Sequence, residues 1–134
     1  MTELYPGDHV LEVFLEETVE RLDSVESGLL RLENGTGDSA TLINSIFRDA
    51  HSVKAGANLL KLANIETLAH KLENILEMIR RGEIQVTEMI ITASLESIDK
   101  LRELLGNVEN SDEISIRLHT AMLEMALKKA QEEA

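Results

Sequence analysis

The stretch SATLINSIFRDAHSVKAGANLL, residues 39–60, carries apolar side chains three or four positions apart. This spacing places them on one face of an α-helix. An amphipathic helix of this kind must pack its apolar face against other elements. The apolar side chains of this inner stripe are Leu42, Ile46, Ala50, Val53, Ala57 and Leu60.

The same periodicity recurs on both sides of this stretch, divided by glycine, proline and asparagine. The expected helices cover about residues 8–33, 39–60, 64–81, 87–105 and 111–130. Thr87 is the expected cap of the fourth helix. We expect the fifth to begin at Ser111 and to bury Leu118, Met122 and Met125. Short connections predict an all-α fold, an antiparallel up-down four-helix bundle with a fifth C-terminal helix, in a single domain over residues 1–134.

Composition and charge exclude several classes of function. The net charge is −12, from 13 basic and 25 acidic residues, so we expect no binding to nucleic acid or to anionic membranes. The absence of cysteine excludes disulfides and thiolate metal sites. No apolar run is long enough for a membrane helix, and the start MTELYPGDHV lacks the features of a signal peptide. We therefore expect a cytoplasmic protein.

Polar residues with a regular spacing lie beside the apolar stripes. His51 and Lys54 each follow a stripe residue by one position, which turns them by about 100° to the edge of the core. On the third helix, His70 and Glu73 have the same three-residue spacing and also flank the core. Counted from the turn near residues 61–64, positions 51 and 73 lie at similar heights in an antiparallel hairpin. We therefore expect Glu73 to reach His51.

An imidazole beside a carboxylate suits phosphoryl transfer. A carboxylate that accepts a hydrogen bond from one ring nitrogen fixes the tautomer and makes the other nitrogen a better nucleophile. We expect Lys54 to meet the oxygens of the arriving phosphoryl group. Small side chains near His51 would let a partner approach closely. The expected docking residues on this flank are Phe47, Arg48, Ala55, Gly56 and Asn58.

Two alternatives use the same residues differently. In the first, His51, His70, Glu73 and Glu66 converge as ligands of a weak metal-binding bundle. Against it, the paired Glu-x-x-His motifs of di-iron bundles are missing, and Lys54 would repel a cation. In the second, the chain is a structural or adaptor bundle whose histidine is incidental. We expect neither a metal nor a cofactor.

The segments AHSVKAGANLL, residues 50–60, and LAHKLENILEMIRRGEIQVT, residues 68–87, resemble the histidine phosphotransfer (HPt) domain, the N-terminal P1 domain of CheA-type chemotaxis histidine kinases. In that family the phosphoacceptor lies on the second helix in an H-S-x-K-G-G/A-A run. A second histidine and a glutamate follow at +19 and +22, as His70 and Glu73 follow His51. The resemblance implies that His51 is phosphorylated at Nε2, that Glu73 holds Nδ1, and that Lys54 and His70 complete a polar network.

Two positions depart from the family pattern. Ala55 stands where the family usually has glycine, which keeps the surface small. Lys61 stands where a glycine often ends the second helix, which puts the register of the following turn in question.

The resemblance also implies the partners. A phosphoryl group would come from the ATP-binding catalytic domain of a histidine kinase and leave to an aspartate of a response-regulator receiver domain. The sequence contains no glycine-rich nucleotide loop, so the chain would be a phosphoacceptor and donor, and whether it counts as an enzyme is open. We expect a monomer. Whether the chain is a fragment of a larger kinase or a free-standing phosphocarrier also stays open.

Overall fold

Five α-helices and one short 3-10 helix follow one another along residues 9–134, the part of the chain that the computed structural model describes. The α-helices are α1 (His9–Asn34), α2 (Ser39–Leu59), α3 (Ala63–Arg80), α4 (Glu88–Gly106) and α5 (Arg117–Glu132). The 3-10 helix covers Val108–Glu113. The start expected for the first helix, residue 8, lies outside the described residues.

The first four helices pack around a shared core as an antiparallel bundle, in which α1 contacts α2 and α4, and α3 contacts the same two helices. The helices α1 and α2 run in opposite directions, since Phe14 near the start of α1 lies against Gly56 near the end of α2, and Gly28 lies against Ile46. The fifth helix packs on α3 and α4. The predicted fold class is thereby confirmed.

The connection between α2 and α3 sets their register. It consists of residues 60–62 and closes with two backbone hydrogen bonds, from Lys61 N–H to Asn58 C=O and from Leu62 N–H to Ala57 C=O. This pair of bonds is the Schellman pattern, which ends a helix through one residue in the left-handed conformation. Lys61 is that residue, with φ of 60°. The lysine therefore adopts the conformation that a glycine would, and the turn keeps the expected register.

The start of α4 is set by a capping side chain. The Thr87 hydroxyl accepts a hydrogen bond from the Ile90 N–H, 3.1 Å away, so Thr87 caps α4 as the sequence predicts. Ion pairs also join α4 to α1. The guanidinium group of Arg102 on α4 pairs with the carboxylates of Asp23 and Glu26 on α1, at 2.9 and 2.5 Å.

The expected start of the fifth helix is wrong, and so are two of the three residues expected on its inner face. Ser111 belongs to the 3-10 helix, and α5 begins at Arg117. The carboxylate of Asp112 accepts a hydrogen bond from the backbone N–H of Asn64, so it caps the first turn of α3 instead of its own helix. With this later start, Leu118 and Met125 face outward, whereas Met122 is partly buried against the core. The buried residues of α5 are Leu123, Ala126 and Ala130.

Within residues 9–134, the structure contains no helix of the length and apolarity that crossing a bilayer requires.

Candidate functional site

The imidazole of His51 and the carboxylate of Glu73 meet at the seam between α2 and α3. The distance from His51 Nδ1 to Glu73 Oε2 is 2.5 Å. The His51 side chain is 55% exposed, whereas that of Glu73 is only 8% exposed. The hairpin register accounts for the meeting, because about two turns nearer to the connection Asn58 on α2 donates a hydrogen bond to Glu66 on α3. The structure thus places an accessible imidazole on a buried carboxylate.

Glu73 is ionised although it is buried. Burial raises the pKa of Glu73, but hydrogen bonds from Lys54 and His51, with the charges of both, hold the net pKa below its ordinary value near 4.5. Lys54 Nζ lies 2.8 Å from Glu73 Oε1, so each carboxylate oxygen has its own partner.

The ionisation of Glu73 determines which nitrogen of His51 carries the proton. An ionised carboxylate only accepts hydrogen bonds, so Nδ1 of His51 must donate to it. In the neutral ring the lone pair then lies on Nε2. Since the ring is more than half exposed, a partner can reach this nitrogen. The site therefore presents an oriented nucleophile at the surface.

Lys54 lies at a different place from the one expected. We expected its ammonium group where an incoming phosphoryl group would arrive, but the structure places it on Glu73. Its charge is therefore already engaged, and it holds the second oxygen of the carboxylate. This arrangement makes Lys54 a support for Glu73 in the unphosphorylated site.

The five expected docking residues differ in accessibility. Arg48, Ala55 and Asn58 are exposed on α2, and Phe47 is partly buried against the core. Asn58 is also engaged by its hydrogen bond to Glu66, at 2.8 Å.

Gly56 does not serve the purpose that we expected. A Cβ atom at this position would lie 2.7 Å from the ring of Phe14, closer than such contacts occur. The missing side chain thus lets α1 approach α2 inside the bundle. The close approach is internal, and only Ala55 of the pair offers a small exposed surface beside His51.

His70 stays outside the polar network. It is exposed on α3, and among the described residues it has no hydrogen bond or ion pair with His51, Lys54 or Glu73. Nor do three or more His, Cys, Asp or Glu side chains of residues 9–134 converge in a way that could hold a metal ion. The metal-binding alternative therefore has no ligand set in this part of the chain.

One part of the site was missed by the sequence analysis. Arg80 places its guanidinium carbon 4.9 Å from the ring centroid of Phe47, and that ring stacks on His51. The available signal was the spacing of Glu73, Glu77 and Arg80, which are four and three residues apart and so share one face of α3.

Comparisons with known proteins give the family and related structures of this chain. The family model described as the Hpt domain matches residues 9–120. The chain is 38% identical over 102 residues to the chemotaxis protein CheA of Salmonella typhimurium. The aligned segment covers 76% of this chain and 15% of that protein. It spans only 13–15% of the length of the first curated relatives that it matches.

Two solved structures share the fold. The solution structure of the histidine phosphotransfer domain of CheA matches with a TM-score of 0.75 and 28% identity, covering 85% of this chain and 88% of that one. The phosphorylated P1 domain of CheA3 in complex with CheY6 from R. sphaeroides matches with a TM-score of 0.81 and 22% identity, covering 90% of this chain and 97% of that one.

Proposed function

This chain belongs to the Hpt domain family, and from that membership we propose that it is a phosphocarrier whose phosphorylated residue is His51. The observation that carries the proposal is the hydrogen bond from His51 Nδ1 to the ionised Glu73. This bond leaves Nε2 of a surface imidazole as the free nucleophile.

The transfer steps balance without a separate proton acceptor. The Nε2 lone pair attacks the γ-phosphorus of ATP held by a kinase domain, the bond from phosphorus to the bridging oxygen breaks, and ADP leaves. The ring keeps its Nδ1 proton and becomes cationic, and Glu73 offsets that charge. When an aspartate oxygen of a receiver domain attacks the phosphorus, the N–P bond breaks and its electron pair returns to Nε2. The imidazole is then neutral again.

Lys54 acts through Glu73 in this scheme. Its ammonium group at 2.8 Å keeps Oε1 of the carboxylate in place and favours the ionised form. Glu73 then needs no reorganisation when the ring becomes charged, which is the advantage of a preorganised site. We assign to His70 no part in this scheme, since among the described residues it has no hydrogen bond or ion pair with the other three side chains.

The proposed partners are a histidine kinase catalytic domain as the donor and a response-regulator receiver domain as the acceptor. The first is supported by the CheA relatives, of which this chain spans a small part. The second is supported by the structural neighbour described as a phosphorylated P1 domain in complex with CheY6. In the second step of this scheme, this chain only positions the phosphoryl group. The receiver domain therefore supplies most of the catalysis of that step.

Labelling with [γ-³²P]ATP and a chemotaxis-type kinase core tests the proposal on the full chain. We expect acid-labile, alkali-stable label on the wild type and none on His51→Gln. His70→Gln is the matched control, because it removes an exposed histidine that has no hydrogen bond or ion pair with the described site residues, and it should be labelled normally. Label retained on His51→Gln would refute the assignment.

A second variant tests the role of the carboxylate. Glu73→Ala removes the acceptor for Nδ1 while leaving His51 in place, so we expect labelling to slow by about 10-fold or more, as for other carboxylates that orient a histidine. Circular dichroism should show unchanged helicity. Wild-type labelling kinetics in this variant would remove Glu73 from the mechanism.

A further inference from the structure

A row of stacked groups leads from the end of α3 to the imidazole of His51. The guanidinium carbon of Arg80 lies 4.9 Å from the centroid of the Phe47 ring. The centroid of Phe47 lies 6.3 Å from that of His51, with 26° between the ring planes. Phe47 precedes His51 by one helical turn and is anchored in the partly buried layer of the core. The reactive ring is thus held between a carboxylate and an aromatic neighbour.

The outer end of this row is itself fixed. Nε and Nη2 of Arg80 donate hydrogen bonds to the two oxygens of Glu77, at 2.6 and 2.9 Å. Such a two-point contact defines the plane of the guanidinium group as well as its position. A cation over an aromatic face is attracted by the negative charge of that face. Glu77 and Arg80 therefore restrict the motion of the Phe47 ring.

A single hydrogen bond does not determine the plane of an imidazole. The bond from Nδ1 to Glu73 fixes the tautomer and restrains one atom, but the ring can still rotate through coupled changes of χ1 and χ2 that keep Nδ1 near the carboxylate. Solvent does not restrict this motion, since the His51 side chain is 55% exposed. A stacked neighbour at a small interplanar angle restricts this rotation. This second restraint favours in-line attack on phosphorus, because the Nε2 lone pair lies in the ring plane.

We propose that Phe47 and Arg80 are positioning residues that set the plane of the His51 imidazole for phosphoryl transfer. This inference rests on the proposed phosphoacceptor role of His51. It assigns Phe47 a role different from the docking contact that the sequence suggests. It also assigns the Glu77–Arg80 pair a task beyond that of a surface ion pair.

Steady-state phosphorylation by a kinase core separates positioning from docking. Phe47→Leu keeps an apolar side chain but loses the flat ring, and we expect kcat to fall about 3- to 10-fold, with KM for this chain changing less than about twofold. Phe47→Tyr keeps the ring and should restore kcat to near the wild-type value. A change in KM alone, or no change in either constant, would overturn the proposal.

Arg80 has a matched control on the same turn. Arg81 carries the same charge, and its ion pairs are with Glu77 and Glu83, at 3.4 and 3.8 Å. We expect Arg80→Gln to lower kcat by about 2- to 5-fold and Arg81→Gln to leave it unchanged. Equal effects of the two substitutions would indicate a general loss of charge and would refute a specific role for Arg80.

Side-chain NMR relaxation tests the same inference without a kinase. We expect the order parameter of the His51 ring carbons to fall in Phe47→Leu and in Arg80→Gln, and to stay at the wild-type value in Arg81→Gln. Unchanged ring dynamics in Phe47→Leu and Arg80→Gln would refute the positioning role. A wild-type chain with an ordered ring that accepts no phosphoryl group would instead refute the proposed function, so the two failures are distinguishable.

Discussion

Glu73 combines two requirements that usually conflict, burial and charge. A buried ionised carboxylate is strongly destabilising unless both oxygens are compensated. Here Oε2 has the imidazole of His51 and Oε1 has the ammonium group of Lys54. The side chain is therefore held rigidly and stays ionised, and loss of either partner changes its energy as well as its geometry.

Lys61 is the residue with an unfavourable backbone conformation. Its φ of 60° lies in the left-handed region, which L-residues other than glycine adopt at a free-energy cost of about 1–2 kcal/mol. The corresponding turn after α3 uses Gly82, with φ of 76° and the same pair of backbone hydrogen bonds. The bonding pattern is thus kept at both helix ends, and the lysine carries a strain that the glycine avoids.

Lys61→Gly should therefore stabilise the protein. We expect the free energy of unfolding to rise by about 1 kcal/mol, equivalent to about 3–5 °C in Tm for a chain of this size. Urea and thermal denaturation followed by circular dichroism measure the change. Lys61→Ala is the control, since it removes the same side chain without relieving the backbone; an equal gain from alanine would contradict the strain argument.

The pairing of His51 with Glu73 could be predicted from the sequence, whereas the contacts of the neighbouring side chains could not. Counting back from a turn is sufficient to align two positions on adjacent helices. The partner of Lys54 depends on side-chain rotamers, which local spacing does not determine. The sequence therefore did not predict that the ammonium group of Lys54 pairs with Glu73. The stack of Arg80 on Phe47 joins residues 33 positions apart and has no local signature.

At the scale of helices, α1 and α2 approach each other closely at two glycines. Gly28 meets Ile46 near one end of the pair and Gly56 meets Phe14 near the other. At both points a Cβ atom would overlap a side chain of the facing helix. Both glycines lie within helices, where each is less favourable than alanine by about 1 kcal/mol. The close packing of the two helices offsets this disadvantage.

Adjacent residues of α2 should therefore respond oppositely to the same substitution. We expect Gly56→Leu to destabilise the protein by about 1–3 kcal/mol, because the new side chain collides with Phe14. Ala55→Leu, on the exposed face, should change the free energy of unfolding by less than about 0.5 kcal/mol. Urea denaturation measures both values, and similar losses of stability would contradict the assignment of the two faces.

Ala55→Leu also tests docking on this part of α2. Because Ala55 is exposed one turn after His51, the larger side chain should slow transfer from the phosphorylated protein to a receiver domain while the fold stays intact. Loss of label from the purified phosphorylated variant, followed after addition of the receiver, provides the measurement. Transfer at the wild-type rate would place the docking surface elsewhere.

The α-helices were predictable to different degrees. The first four have long apolar stripes, and the expected and observed limits that can be compared differ by at most one residue. The fifth was misplaced because Ser111 and Asp112 resemble a helix start. The carboxylate of Asp112 instead caps α3, 48 residues away in sequence. A capping residue shows that a helix end is nearby in space, but local sequence does not tell which helix it belongs to.

On the scale of the whole molecule, the acidic composition makes the pH dependence of stability informative. The net charge of −12 favours self-repulsion at neutral pH. Individual carboxylates then act in opposite directions. Burial raises the pKa of Asp49 against the opposing charges of Arg21 and Arg48, whereas the net pKa of Glu73 is lowered. A comparison of two variants that differ only at Glu73 isolates its contribution.

Glu73 should contribute stability at neutral pH that is lost in acid. Because its pKa in the folded protein lies below the ordinary value near 4.5, its contribution is present above that value and disappears as the pH falls through the folded pKa. We expect the wild type to be more stable than Glu73→Gln at pH 7 and the difference to shrink toward pH 3. Urea denaturation at a series of pH values provides the test; a difference independent of pH would contradict it.

The short connection between α2 and α3 has a consequence for insertions and deletions. Only residues 60–62 separate the two helices, and the backbone hydrogen bonds of this turn leave little slack. One extra residue carried into α3 would rotate every later side chain of that helix by about 100° and shift it by about 1.5 Å. Glu73 would then point away from His51 although every helix could still form. The length of this three-residue connection is therefore a chemical requirement as much as a structural one.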